Sequence, residues 1–109
     1  MDIITKLSKV LEERKTTNPD KSYVKGLYEQ GTEKILQKIE EEALELINAA
    51  KKEGSDREKR MVEETADLWF HTMVLLSNEN IDNRKILKEL EDRFGISGIV
   101  EKSSRKENN

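Results

Sequence analysis

The stretch Met61-Val62-Glu63-Glu64-Thr65-Ala66-Asp67-Leu68-Trp69-Phe70-His71-Thr72-Met73-Val74-Leu75-Leu76 decides the fold. Wound at about 3.6 residues per turn it is apolar on almost every side, and such a helix belongs in the middle of a helical bundle. Yet Glu64, Asp67 and His71 project along one line of it. A buried carboxylate without a partner is costly or titrates to its neutral form, so two of them on the most apolar helix require compensation.

A second acidic stretch lies upstream, in Glu41-Glu42-Ala43-Leu44-Glu45. Glu42 and Glu45 share a helix face in the same way as Glu64 and Asp67. Two such pairs facing each other form a cage of oxygens. Like charges that close together oppose folding unless a cation sits between them, and hard oxygen donors suit Mg²⁺ or Mn²⁺.

The acidic helix is expected to start near Thr32, to carry Ile35, Ile39, Ala43, Leu46, Ile47 and Ala50 as one apolar stripe, and to end at Gly54. Glu42 falls on the edge of that stripe, with Lys38 and Glu45 in the adjoining strip and Glu41 and Lys34 further round. Read alone, the run Glu40-Glu41-Glu42 is a solvated face, and Lys34 and Lys38 are ordinary partners for glutamates one turn away. Similarly, a single histidine in an apolar run reads first as a hydrogen-bonded core residue, and Trp69 and Phe70 read as core.

Further out, residues 2 to 15 place Ile3, Leu7, Val10 and Leu11 at helical spacing behind Asp2 as cap. A loop follows around Pro19, and then a short helix capped by Ser22, carrying Val24, Leu27 and Tyr28, stops near Gly31. Ser55-Asp56-Arg57-Glu58 has the form of a capping box for the central helix. Asp82 is expected to cap a last helix whose buried face is Ile86, Leu87, Leu90 and Phe94, ending at Gly95. The expected architecture is all-α, a bundle of four to five helices over residues 1–95, with 96–109 as a polar, frayed tail.

Composition bounds the function. With 109 residues, 34% hydrophobic against 39% charged, the chain fills only a modest core, a shortage that dimerisation would relieve. It has no cysteine, and so neither a disulfide framework nor a thiolate metal site. No window approaches the ~20 apolar residues of a membrane span, and a soluble cytoplasmic protein is expected. The net charge of −3, with acids and bases interspersed, gives nucleic acid no field to follow. An anionic substrate would have to be received by metal ions and local lysines.

The pattern Glu-Glu-x-x-Glu at 41–45, followed after 18 intervening residues by Glu-x-x-Asp at 64–67, resembles the all-α nucleoside triphosphate pyrophosphohydrolase superfamily. Adding Ser22-Tyr23, Lys34, Lys38, Ala49-Ala50-Lys51, Ala66-Asp67-Leu68 and His71, the string is similar to the phosphoribosyl-ATP pyrophosphohydrolase family from Ser22 to about Phe94. Glu40, Thr65 and Phe70 depart from residues common in that family, and none of them is one of the caging carboxylates.

The resemblance implies a homodimeric, Mg²⁺-dependent enzyme of histidine biosynthesis that hydrolyses phosphoribosyl-ATP to phosphoribosyl-AMP and pyrophosphate. On that reading Glu42, Glu45, Glu64 and Asp67 are the metal ligands, and Glu41 is the general base or an outer ligand. Lys34, Lys38 and Lys51 meet phosphate oxygens, His71 does the same or orients an acid, and Ser22 and Tyr23 bind substrate. Two other readings stand beside it. One is a house-cleaning pyrophosphohydrolase acting on dCTP, dUTP or a damaged nucleotide; the other is a non-enzymatic helical interaction module. A di-iron carboxylate bundle fits less well, because such sites use two Glu-x-x-His motifs and the chain has one histidine.

Overall fold

A computed structural model describes residues 2–95, and the polar tail expected at 96–109 lies outside them. Among the described residues there are five α-helices and no strand: α1 Ile3–Glu13, α2 Tyr23–Gln30, α3 Thr32–Lys51, α4 Arg57–Asn78 and α5 Arg84–Phe94. Short 3-10 turns at Arg14–Thr16 and Pro19–Lys21 join α1 to α2. The expected caps at the first two helices are present. Asp2 accepts the Thr5 backbone N–H at 2.8 Å, and Ser22 Oγ accepts that of Lys25 at 3.2 Å.

α2 passes into α3 through Gly31 alone. Its N–H closes α2 onto the Leu27 carbonyl, while its own carbonyl accepts the Ile35 N–H that opens α3. The backbone there has φ 90° and ψ 178°, a region that residues with a Cβ rarely enter.

The centre of the fold is the apolar layer where α1, α2, α3 and α4 meet. Leu11, Val24, Leu27, Ile35, Met73 and Val74 form its buried cluster, flanked by Ile4, Leu7, Tyr28, Ile39, Phe70 and Leu75. A polar thread runs beside it. The Tyr28 hydroxyl lies 3.0 Å from the Leu11 carbonyl and 2.9 Å from Ser77 Oγ, and Ser77 donates to Glu12 at 3.0 Å. These bonds tie α1, α2 and α4 together without leaving a buried hydroxyl unsatisfied.

The helix ends depart from the sequence reading in three places. α3 stops at Lys51, before Gly54, and α4 starts at Arg57, so Ser55 caps nothing and Asp56 at the cap position makes no side-chain capping bond. Arg57 instead reaches back to the Ala50 carbonyl with Nε at 3.1 Å and Nη2 at 2.8 Å. The guanidinium thus satisfies an orphan carbonyl at the negative end of α3, a favourable charge-assisted contact. At α5 the cap position belongs to Asn83. Asp82 still accepts the Arg84 backbone N–H at 2.9 Å, while buried Asn83 donates to the Met73 carbonyl at 3.0 Å and pins α5 to α4.

Burial differs from the sequence reading as well. Trp69 is 60% exposed, and the α5 face expected to be buried leaves Ile86 at 39%, Leu90 at 43% and Phe94 at 56%. One helix cannot present all its sides to a core built by a single chain this short, so α4 keeps one apolar flank uncovered.

Candidate active site

α3 and α4 pack against each other along the buried layer, and this brings their acidic faces together. Glu42, from mid-α3, and Glu64 and Asp67, from the second and third turns of α4, each offer a carboxylate oxygen within 4.8 Å of the others. Glu42 sits where the stripe predicts, about two turns from buried Ile35 on one side and from buried Ala49 on the other. Its side chain is only 12% exposed.

The donor set is oxygen only. Glu42 Oε2 and Glu64 Oε2 are both covered from solvent and meet no hydrogen-bond donor. Glu45 stands at the exposed border of the group, close enough to exchange a hydrogen bond with both Glu42 and Glu64. Without a cation these acids hold on to protons. The hydrogen bond with Glu45, then burial, then the charges of Glu45, Glu42 and Asp67 push the Glu64 carboxyl up to about 7. Burial first, then the Glu45 and Asp67 charges, raise the Glu42 carboxyl as well. Covered, repelling carboxylate oxygens are what a hard divalent cation would satisfy, so these residues fit the metal role inferred for them.

The basic residues are spread along α3. Lys38 pairs with Glu41 at 3.5 Å, and Glu41 also accepts from Gln37 at 3.4 Å. The charges of Tyr23 and Glu41 hold the Lys38 ammonium above its usual range. Lys34 is half-buried in the first turn of α3 and Lys51 is exposed at its last residue. At about 1.5 Å rise per residue they stand ~12 Å and ~14 Å from Glu42 along the axis, on opposite sides of it.

His71 is buried, at 5% exposure, beside the acids. Its Nδ1 lies 2.9 Å from the Asp67 carbonyl and 4.0 Å from Glu42 Oε1, and its Nε2 lies 2.8 Å from the Tyr23 hydroxyl. The Tyr23 and Phe70 rings stack at 6.3 Å, and both meet the imidazole edge-on. Ser22, also buried, uses its hydroxyl oxygen as the α2 cap. The Tyr23–His71 contact was not foreseeable from spacing, since the two residues are 48 positions apart. The line of Glu64, Asp67 and His71 on α4 was the only hint that something would meet the ring.

Residues 4–94 match the family described as phosphoribosyl-ATP pyrophosphohydrolase. Over 108 residues the chain is 48% identical to a phosphoribosyl-ATP pyrophosphatase of Hydrogenovibrio crunogenus, covering 98% of this chain and 96% of the relative. It is 49% identical over 104 residues to the protein of that name from Ruthia magnifica, with 95% and 96% covered. For the Methylococcus capsulatus protein of that name the identity is 48% over 106 residues, with 97% and 98% covered. The match takes in both acidic helices and the residues that close the site around them, and the chain belongs to the phosphoribosyl-ATP pyrophosphohydrolase family.

Proposed function

We propose that this chain hydrolyses phosphoribosyl-ATP between the α and β phosphorus atoms, giving phosphoribosyl-AMP and pyrophosphate in histidine biosynthesis, with Mg²⁺ as cofactor. The observation that carries the reading is the pair of covered, donor-less oxygens on Glu42 and Glu64 beside Asp67. Those three acids would hold the ion, with Glu45 at the border completing the set. When bound, Mg²⁺ supplies neutralisation of the triphosphate charge and polarisation of the phosphoryl group under attack.

The chain's own residues do the rest. Lys38 leaves Glu41 for an incoming phosphate, and Glu41, released from that ion pair, takes the proton of the attacking water. Lys34, in the first turn of α3, is a further cation for a phosphate oxygen, whereas Lys51, nine residues on from Glu42, projects from the opposite side of α3. The enzyme works as a homodimer in the cytoplasm. Supporting the dimer, Trp69 borders two apolar clefts, one of about 700 Å³ with Met61, Val62 and Ala66, the other of about 320 Å³ with Ile86, Leu87 and Leu90. No helix among the described residues is long and apolar enough to cross a membrane.

The test is pyrophosphate release from phosphoribosyl-ATP, with and without Mg²⁺, beside ATP, dCTP and dUTP at equal concentration. A Mg²⁺-dependent preference for phosphoribosyl-ATP supports the proposal. Turnover of the deoxynucleotides alone would move the protein to nucleotide house-cleaning, and turnover of none would end the enzymatic reading.

A further inference from the structure

The geometry points to Tyr23 as a positioning residue that fixes the orientation of His71, and through it the wall of the acidic site, rather than as a residue that binds substrate through its hydroxyl. Its effect on catalysis rests on the activity proposed above; its effect on the imidazole does not.

The argument begins with the Asp67 carbonyl. A carbonyl oxygen only accepts, so the Nδ1 that faces it at 2.9 Å must carry a proton. In the neutral ring Nε2 is then an acceptor, and the Tyr23 O–H, 2.8 Å away, donates to it. That donation uses the single phenol proton. Both ring nitrogens are thereby committed, and His71 offers no lone pair to a cation and no free N–H to a phosphate.

The imidazole instead acts as a fixed wall. It turns its Nδ1 edge to the Asp67 backbone and to Glu42 Oε1 at 4.0 Å, on the two helices that supply the acids. Tyr23 is well placed to hold it. It is the first residue of α2, directly after the Ser22 cap, and its ring stacks on Phe70. Because Tyr23 is 55% exposed, removing its hydroxyl leaves the buried cluster intact, so an effect on the site is separable from unfolding.

His71 is the only histidine of the chain, which makes the test direct. The ¹⁵N spectrum of histidine-labelled protein, at a fixed pH where the ring is neutral, should show a protonated Nδ1 and an unprotonated, hydrogen-bonded Nε2. In Tyr23→Phe the Nε2 signal should move to the position of an imine nitrogen without a donor. For phosphoribosyl-ATP, kcat should fall roughly 10- to 100-fold with KM unchanged, the range seen when partners that orient a site are removed. Tyr28→Phe is the control. It removes a phenol of the core thread and should lower stability while leaving the His71 spectrum as it was.

A wild-type ring protonated on Nε2 overturns the inference. So does a Tyr23→Phe protein whose spectrum and kcat both match wild type, or one in which KM rises and kcat does not change. Failure of wild type to hydrolyse phosphoribosyl-ATP, with the spectral change intact, would count against the proposed substrate and leave the Tyr23–His71 assignment standing.

Discussion

Glu42 on α3 and Glu64 on α4 each turn one carboxylate oxygen into the space between the helices, where neither water nor a donor reaches it. In the absence of a cation this arrangement opposes folding. Glu64→Gln should therefore raise the thermal midpoint of the protein in EDTA and abolish the stabilisation that Mg²⁺ confers on wild type by ligand linkage. Pyrophosphate release should fall by about 100-fold or more, as expected when charge stabilisation at a reacting centre is lost. Calorimetry in EDTA and in Mg²⁺, beside the release assay, checks both. A Glu64→Gln protein that still gains stability from Mg²⁺ would remove Glu64 from the ligand set.

The same pair sets a pH dependence. The Glu64 carboxyl, ordinarily near 4.5, is raised to about 7 in the folded chain, and Glu42 is shifted the same way. A group whose folded value is raised contributes stability that is fully present below the unfolded value and lost as pH rises through the folded one. Metal-free protein should therefore become less stable from about pH 5 to about pH 8. Glu12 and Asp82 are shifted downward, so their contributions change only in the acid range, below this window. Mg²⁺ should reverse the trend by displacing the retained proton. Thermal denaturation at half-unit pH steps, with and without Mg²⁺, gives the two slopes.

Trp69 is the only tryptophan in the chain and is exposed in the single chain. If a second copy covers it, its emission should shift to the red on dilution, and Trp69→Lys should run as a monomer where wild type runs as a dimer in size-exclusion chromatography with light scattering. A wild-type monomer at all concentrations would require another explanation for the uncovered flank of α4.

Gly31→Ala meets no neighbour, since nothing lies within 4 Å of the added Cβ. The change acts on backbone conformation alone. At φ 90° and ψ 178° it should cost about 1–3 kcal/mol, read by urea denaturation. An unchanged midpoint would mean that the junction relaxes without strain.

The sequence shows where physical chemistry is local and hides where it is not. The convergence of Glu42, Glu64 and Asp67 was legible because helical spacing places each acid against an apolar stripe, and the Ser22 and Asp2 caps were legible because capping needs only a few consecutive residues. Trp69 was misjudged because an apolar periodicity states that a face avoids water without stating whether the same chain or another covers it. The start of α4 differs from the capping-box reading, and the Arg57 bond back to the Ala50 carbonyl is a contact that such a four-residue pattern does not encode. Tyr23 and His71 were each singled out, but their contact depends on how α2 lies against α4. No short-range rule carries that information.

The single-residue junction at Gly31 also bears on where the chain tolerates changes of length. One residue inserted there would separate the two bonds that Gly31 makes, to the Leu27 carbonyl and from the Ile35 N–H, and would change how α2 is set against α3. The Tyr23–His71 contact depends on that setting and would be lost, while the acids on α3 and α4 would keep their helix register. The turn between Lys51 and Arg57 has several residues outside any helix, and an insertion there can bulge into solvent. Insertions among relatives that keep the activity should accordingly collect between α3 and α4 and be absent between α2 and α3.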